Sequence, residues 1–316
     1  MIVIKGADLF GKTVDIAVDG DRVAEVGDVK APKGATVVDA RGLTALPAFV
    51  DMHVHLREPG FEYKEDIESG CRAAVAGGFA AVCCMPNTKP VTDNKYIVKY
   101  VKTRAEEVGL AKVYPIAAIT VGQEGKQIAE FGKLKAAGAV AFSDDGRPVE
   151  NAQTMRVALE YAKQFDALLI SHCEELSLVA GGVINEGYTA SEAGYRGITR
   201  ASEEVMAARE IVLADALSTK VHIAHISTEG SARLIRDAKR AGIRVSCETC
   251  PHYFAATDEL AANGDPMAKV NPPLREERDR EAIVRAIQDG TVDAIVTDHA
   301  PHAAHEKGAL NDAANG

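Results

Sequence analysis

Two histidines, His53 and His55, lie two positions apart near the end of a short apolar run. On a β-strand, side chains two residues apart point to the same face, so both imidazoles would converge on one point. Neutral imidazoles are common ligands of Zn²⁺ and of other divalent cations. The spacing therefore predicts the beginning of a metal site rather than two unrelated core histidines.

Further residues of the same chemistry occur where later apolar runs end. His172 closes one run, His225 closes the next, and Asp298 closes the last. A carboxylate also ends an earlier run, and spacing alone leaves open whether it is Asp144 or Asp145. Four imidazoles and two carboxylates exceed what one tetrahedral ion needs, and they would suit two ions about 3.5–4 Å apart that share a hydroxide.

Other histidines have structural or surface interpretations. His222 shares a strand with His225 but lies three positions away, so strand alternation predicts that it faces the other way. His252 lies in a predicted loop, where it would pack or support the site from behind. His299 would point to the opposite face from its neighbour in the site, and His305 lies in a polar tail, where we expect it to be solvated.

The elements that must position these residues form a regular series. Eight apolar, strand-like runs span 46–56, 79–85, 113–120, 139–145, 167–173, 220–227, 244–250 and 293–299. Helix-period stretches lie between them at 65–76, 95–108, 123–137, 152–164, 202–217, 231–241 and 278–288. The series predicts an α/β fold, a (β/α)8 TIM barrel; an open doubly wound sheet is the alternative. The polar strand ends favour the barrel, which places its active site there.

The first 45 residues have a different pattern. Val14, Ile16 and Val18 alternate with polar residues ahead of Asp19-Gly20, which predicts a β-hairpin. We expect residues 1–45 to form a small N-terminal β-sandwich segment and residues 46–316 to form the metal-dependent barrel. Because the sequence ends soon after the eighth strand, we expect the last barrel helix and the C-terminal part of the sandwich to be lacking.

Composition excludes several classes of function. The net charge of −10 disfavours nucleic-acid binding, which needs a basic face. No basic segment precedes an apolar run at the N-terminus, and no apolar run is long enough to cross a bilayer, so we predict no signal peptide and no membrane association. Several of the six cysteines fall in strand-like runs, which predicts reduced cysteines and a cytoplasmic protein. Cys247 and Cys250 have CxxC spacing, but no second pair completes a zinc ribbon.

Several segments together resemble the dihydroorotases of the amidohydrolase superfamily, in particular the long-chain bacterial type (class I). They are PAFVDMHVHLREPG at 47–60, MPNT at 85–88, ETCPHY at 248–253, KVNPPLR at 269–275, and TDHAPH at 297–302 followed by EK at 306–307. They cover essentially the whole chain in the expected order. The HxH pair alone would indicate only the superfamily, whereas the set is specific.

The resemblance implies a zinc-dependent cyclic amide hydrolase of de novo pyrimidine biosynthesis. Such an enzyme reversibly cyclises N-carbamoyl-L-aspartate to dihydroorotate with a metal-activated hydroxide, and one or two Zn²⁺ ions per chain are compatible with the type. Many superfamily members bridge their metals with a carboxylated lysine; the matching segment here has none, and Asp145 takes that place. The implied metal ligands are His53, His55, Asp145, His172, His225 and Asp298.

The resemblance also implies the catalytic and substrate-binding residues. Asp298 would be the catalytic proton carrier. Arg57 suits a carboxylate, because its planar guanidinium can bind both oxygens, whereas allantoinases have Asn here and dihydropyrimidinases lack the Arg-Glu-Pro-Gly run. Asn87, Asn271 and His302 match the family's other substrate contacts.

Two alternatives stay open at this point. One is another cyclic amidase of the hydantoinase or allantoinase type, which Arg57 disfavours. The other is a non-catalytic dihydroorotase-like subunit that scaffolds a partner such as aspartate transcarbamoylase. For the catalytic protein we expect a small-molecule substrate, a homodimer and association with aspartate transcarbamoylase.

Overall fold

A four-stranded sheet forms the first of two units, Met1–Phe49 and Val50–Gly316, in a computed structural model that describes residues 1–316. Its strands are β1 (Ile2–Leu9), β2 (Lys12–Asp19), β3 (Arg22–Gly27) and β4 (Thr36–Asp39), in the order β3-β2-β1-β4. β2 and β3 pair in antiparallel orientation across a two-residue turn in which Gly20 has a φ of 59°, as a tight hairpin requires. The expectation that residues 1–45 belong to a β-sandwich remains a prediction.

Eight parallel strands form the centre of the second unit. They are β5 (Phe49–Val54), β6 (Phe79–Cys84), β7 (Lys112–Pro115), β8 (Phe142–Ser143), β9 (Leu169–Ser171), β12 (Val221–Ile223), β13 (Val245–Thr249) and β14 (Ala294–Ile295). Two further short strands, β10 (Ile184–Asn185) and β11 (Gly197–Ile198), pair with each other outside this series.

The eight strands close into a ring. They form two parallel sheets, with orders β5-β6-β7 and β8-β9-β12-β13-β14. Parallel bridges join the sheets at both edges, between Ala117 and Phe142 and between Val54 and His299. Backbone hydrogen bonds of 2.8 Å, from Ser143 N to Ala117 O and from His55 N to His299 O, complete these junctions. Each of the eight predicted strand runs overlaps one of these strands, and only β7 begins outside its run, one residue earlier.

Ten α-helices accompany the strands. They are α1 (Ile67–Ala76), α2 (Lys95–Val108), α3 (Phe131–Ala137), α4 (Ala152–Lys163), α5 (Leu176–Val179), α6 (Tyr188–Ala193), α7 (Ala201–Leu217), α8 (Glu229–Arg240), α9 (Pro251–Ala255) and α10 (Glu277–Gln288). Local signals explain several boundaries. For example, the Asn94 side chain accepts hydrogen bonds from the first-turn N–H groups of α2, and Gly109 ends that helix with a φ of 65°. None of the helices combines the length and apolar character needed to cross a bilayer.

The predicted helix at 123–137 is wrong in its first half. Gly122 and Gly125 have φ values of 64° and 68°, which are incompatible with a continuous helix, and Thr120 pairs with Ile128 in an antiparallel bridge. The helix therefore begins only at Phe131. The elements α5, β10, α6 and β11 were not predicted, because they are short and lack a clear period.

Apolar side chains fill both faces of the strands. On β9, Leu169 joins the large core between strands and helices, while Ile170 points into the barrel. The interior cluster also contains Met85, Ile116 and Ala141. The lower barrel is thus a packed core, and polar residues are left to its carboxyl end.

We expect Phe131→Ala to destabilise the second unit by about 3–5 kcal/mol, because it removes a fully buried ring and leaves a cavity. The Phe131 ring packs 4.3 Å from the centroid of Phe142. Tyr96→Ala is the control, since Tyr96 is 71% exposed and its removal should change stability by less than about 0.5 kcal/mol. Urea unfolding measures the free energy of unfolding of both variants. Equal losses of stability in the two variants would contradict this account of the core.

Candidate active site

The carboxyl ends of the barrel strands surround one cavity of about 350 Å³. Parallel strands bring residues that are far apart in sequence to the same end of the barrel. Nine of the ten predicted site residues line this cavity: His55, Arg57, Asn87, Asp145, His172, His225, Asn271, Asp298 and His302. The tenth, His53, is fully buried beside Asp145. The structure thus brings all the predicted site residues together.

Asp145 lies at the centre of four imidazoles. Its Oδ1 is 3.5 Å from His53 Nε2, 3.5 Å from His172 Nδ1 and 3.4 Å from His225 Nε2. Its Oδ2 is 3.4 Å from His55 Nε2. Burial by itself raises the pKa of the Asp145 carboxyl, but His53, His172 and His225 outweigh burial and hold that pKa well below its usual range. Asp145 is therefore an anion shared by all four histidines.

Asp298 approaches the same cluster from β14. Its Oδ1 lies 3.0 Å from His55 Nε2 and 3.4 Å from His53 Nε2. Burial raises the pKa of the Asp298 carboxyl, but His53 and His55 outweigh burial, so its pKa also lies below the usual range. Two sets of side chains are close enough to hold a cation. They are His53, His55 and Asp298, and His53, Asp145 and His225.

Backbone geometry decides between the adjacent aspartates. Asp144 points away from the cluster and accepts hydrogen bonds from Ile119 N at 2.8 Å, from Thr120 N at 3.1 Å and from the Thr120 hydroxyl. Burial raises the pKa of Asp144 to about 6. Asp144 therefore secures the loop after β7, and Asp145 alone reaches the cluster.

Three of the four histidines have an outer partner on the ring nitrogen that faces away from Asp145. The pairs are His53 Nδ1 with Glu248 Oε1 at 2.6 Å, His55 Nδ1 with Asn87 Oδ1 at 2.8 Å, and His172 Nε2 with Glu174 Oε2 at 3.2 Å. An acceptor on one ring nitrogen keeps a proton there and turns the other nitrogen toward the cluster, where it can bind a cation. The protein's own side chains therefore set the ring orientations of these three histidines.

Glu174 and Glu248 were not predicted as site residues. Glu174 lies two positions after His172, and it also accepts a 3.2 Å hydrogen bond from Asn271 Nδ2. Glu248 is fully buried on β13. An acidic residue within an apolar strand was the available signal for Glu248, since a buried carboxylate requires partners.

The predicted orientation of His222 is wrong. His222 points into the barrel, where its Nε2 lies 3.1 Å from Glu248 Oε2. His225 points there too, because its backbone, with a φ of 31°, leaves the strand conformation and breaks the alternation.

His252 lines the cavity, and burial lowers its pKa to about 4. His299 instead pairs with Glu65 at 2.8 Å.

Arg57 and His302 form one wall of the cavity. Arg57 Nη2 donates to His302 Nε2 at 3.2 Å, and Arg57 Nε donates to the carbonyl oxygen of Pro301 at 3.1 Å. Burial, together with Arg57 and Lys64, lowers the pKa of His302 to about 4, so its ring is neutral at pH 7. A fixed guanidinium beside a neutral imidazole is suited to binding an anionic group of a ligand.

The atoms of the cluster are suited to a cation. His53 Nε2 and Asp145 Oδ1 are buried and have no hydrogen-bond partner. Leaving such atoms unsatisfied costs about 1–3 kcal/mol each, and coordination would offset that cost. Imidazole nitrogens combined with carboxylate oxygens are a common ligand set for Zn²⁺.

Comparison with known proteins identifies the family. The model of the family described as Dihydro-orotase-like matches residues 42–231. The chain is 53% identical over 316 residues to a protein named Dihydroorotase from Pelobacter propionicus, covering 99% of this chain and 74% of the relative. It is 52% identical to a protein named Dihydroorotase from Acetivibrio thermocellus, covering 96% of this chain and 71% of that relative. The chain belongs to the dihydroorotase family. The recognition made from the sequence motifs is thus confirmed.

Solved structures of related folds agree with the barrel. An L-hydantoinase (dihydropyrimidinase) from Arthrobacter aurescens superposes with a TM-score of 0.85 at 22% identity, covering all of this chain and 73% of that one. A D-hydantoinase (dihydropyrimidinase) from Thermus sp. gives a TM-score of 0.77 at 22% identity, with the same coverage. These likenesses show the fold alone. Membership of the dihydroorotase family therefore rests on the sequence relatives.

We expect Zn²⁺ to raise the melting temperature of metal-free protein, because a ligand that binds only the folded state adds about 2.7 kcal/mol at 100 times its Kd. His53→Ala should remove most of this increase. His305→Ala is the control, since His305 is exposed and lies outside the cluster. Scanning fluorimetry after dialysis against a chelator measures the shift. An undiminished shift in the His53 variant would exclude this residue as a ligand.

Proposed function

We propose that this dihydroorotase-family chain reversibly cyclises N-carbamoyl-L-aspartate to dihydroorotate, with Zn²⁺ as cofactor. The observation that carries the proposal is the position of Arg57, on the same cavity as the His/Asp cluster and 3.2 Å from His302. One wall is thereby suited to a carboxylate, and the floor is suited to hydrolytic metal chemistry. The family membership supports the same reaction.

We assign the metal to the six residues of the cluster. The ligands are His53, His55, Asp145, His172, His225 and Asp298. Asp145 would be the carboxylate common to the whole ligand set, because its Oδ2 faces His55 while its Oδ1 faces His53, His172 and His225. A bound divalent cation supplies a water of lowered pKa and polarises the reacting carbonyl. The set accommodates one or two ions.

Asp298 is the proton carrier in this proposal. Since His53 and His55 hold the pKa of Asp298 below its usual range, its carboxylate is ready to accept a proton at neutral pH. In hydrolysis it takes a proton from the attacking water and returns it to the departing ring nitrogen. In ring closure it takes the ureido proton and delivers it to the leaving oxygen.

Arg57 would bind the substrate carboxylate that takes no part in ring closure. Its guanidinium can donate two hydrogen bonds to that group, and neutral His302 stays beside it without adding a competing charge. Asn87 and Asn271 line the cavity as further contacts. The Asn87 Oδ1 is engaged by His55, so its amide nitrogen is the atom that would meet substrate. Hydantoin and allantoin lack this carboxylate and would leave the wall unused.

The cellular setting is part of the proposal. All six cysteines are free, as expected of a cytoplasmic protein. We also propose a homodimer that associates with aspartate transcarbamoylase. Analytical ultracentrifugation of the purified chain, alone and with that enzyme, tests both associations.

Asp298→Asn should lower kcat for dihydroorotate hydrolysis by about 10²–10⁴, because it removes the proton acceptor from the reacting centre. Asp21→Asn is the control, since Asp21 is an exposed turn residue. Loss of dihydroorotate absorbance gives the rate, and metal analysis of the same samples separates lost metal from lost proton transfer. Near-normal turnover with bound metal would remove Asp298 from this role.

Arg57→Met should lower kcat/KM for dihydroorotate by about 10- to 100-fold, since hydrogen bonds to charged groups are worth about 1.5–3 kcal/mol. Arg22→Met is the control, because the Arg22 side chain is 88% exposed. Hydantoin and allantoin should be poor substrates of the unaltered protein. A preference for either over dihydroorotate would overturn the substrate assignment.

A further inference from the structure

A buried chain of hydrogen bonds leads from the cluster into the barrel. His53 Nδ1 lies 2.6 Å from Glu248 Oε1, and Glu248 Oε2 lies 3.1 Å from His222 Nε2. His222 Nδ1 then lies 2.8 Å from Ser246 Oγ. The side chains of His53 and Glu248 have no exposed surface, and His222 is only 4% exposed. Water therefore has almost no access to the His53–Glu248–His222 part of this chain, whereas Ser246 is half-buried.

Strand register fixes the geometry of the inner half. β12 and β13 pair in parallel, with His222 opposite Ser246. Ser246 and Glu248 are two positions apart on β13 and point to the same face. His222 is therefore flanked by Ser246 and Glu248, and its ring nitrogens bond one of them each.

The outer half spans the barrel interior. Glu248 lies on β13 and His53 on β5, and β14 lies between these two strands in the ring. Their 2.6 Å contact is consequently made through side chains and not through a backbone ladder. Glu248 reaches the His53 imidazole from a strand that is not next to β5. The Glu248 carboxylate must therefore be held in place itself if it is to fix the orientation of that imidazole.

We propose that Glu248 and His222 are a positioning pair for the metal site. Glu248 keeps the proton of His53 on Nδ1 and so directs Nε2 at Asp145 and Asp298, while His222 holds Glu248 in place. The inference rests on the proposed function, in which His53 is a metal ligand. It assigns a role to a histidine that touches neither the cluster nor the cavity.

The test compares Zn²⁺ affinity and catalysis in matched variants. Glu248→Gln keeps the shape and removes the charge, and we expect it to weaken Zn²⁺ binding by about 10- to 100-fold. His222→Leu should weaken Zn²⁺ binding in the same direction, and His222→Gln, which retains an N–H donor, should restore most of the affinity. Glu65→Gln is the control, because the Glu65–His299 pair has a similar length of 2.8 Å and neither of these two side chains bonds to a side chain of the cluster.

Competition with a chromophoric chelator measures the Zn²⁺ affinity, and melting of the metal-free proteins measures stability. At saturating Zn²⁺, the KM for dihydroorotate should be unchanged, because the pair does not touch substrate. Wild-type Zn²⁺ affinity in folded Glu248→Gln and His222→Leu proteins, with only a lower melting temperature, would overturn the positioning role. If the affinities change as expected while the unaltered protein does not turn over dihydroorotate, the proposed function fails and the positioning pair stands.

Discussion

The attraction between one buried carboxylate and four imidazoles is the interaction on which this site depends. Asp145 has almost no exposed surface, and a carboxylate without partners in such a place would be strongly destabilising. Four imidazoles from three strand ends supply the partners, so the barrel must close in the correct register for the charge to be tolerated. A cation among the same atoms would satisfy the lone pairs of His53 and Asp145 that lack hydrogen-bond partners. Folding and the binding of a cation would therefore draw on the same side chains.

The orientation of these side chains comes from structure outside the cluster. Arg57, His225 and Asp298 all have positive φ values, of 62°, 31° and 50°. A residue in that region costs about 1–3 kcal/mol and persists only where its surroundings enforce it. Each of the three follows a barrel strand, where a change of backbone direction turns the side chain toward the cavity. The rigid ring supplies the enforcement, and three of the eight non-glycine residues with positive φ belong to the candidate site.

The barrel strands and the loops that follow them contribute different parts of the cavity. The fold alone therefore does not identify the substrate. Solved hydantoinases share the barrel at about 22% identity, so the architecture alone does not specify a function. One wall of this cavity is built from loops, where Arg57 from the loop after β5 meets His302 from the segment after β14. Lys64 and Glu306 form a 2.8 Å ion pair behind that wall and tie the same two segments together. The Arg57–His302 wall therefore comes from loops, whereas the His/Asp cluster comes from strand ends.

Sequence by itself determined the strand series, the family and the members of the cluster. His53 and His55 share a face because strand periodicity is local, and the motif residues are readable without coordinates. Tertiary structure decided what depends on contacts between distant strands. Glu248 meets His53 across the barrel, and His222 faces inward beside it, although alternation counted from His225 gave the opposite answer. The backbone hydrogen bonds that Asp144 accepts from the loop after β7 likewise explain why Asp145, and not Asp144, reaches the cluster. These features depend on strand register and on positive φ values, and both are fixed only when the ring closes.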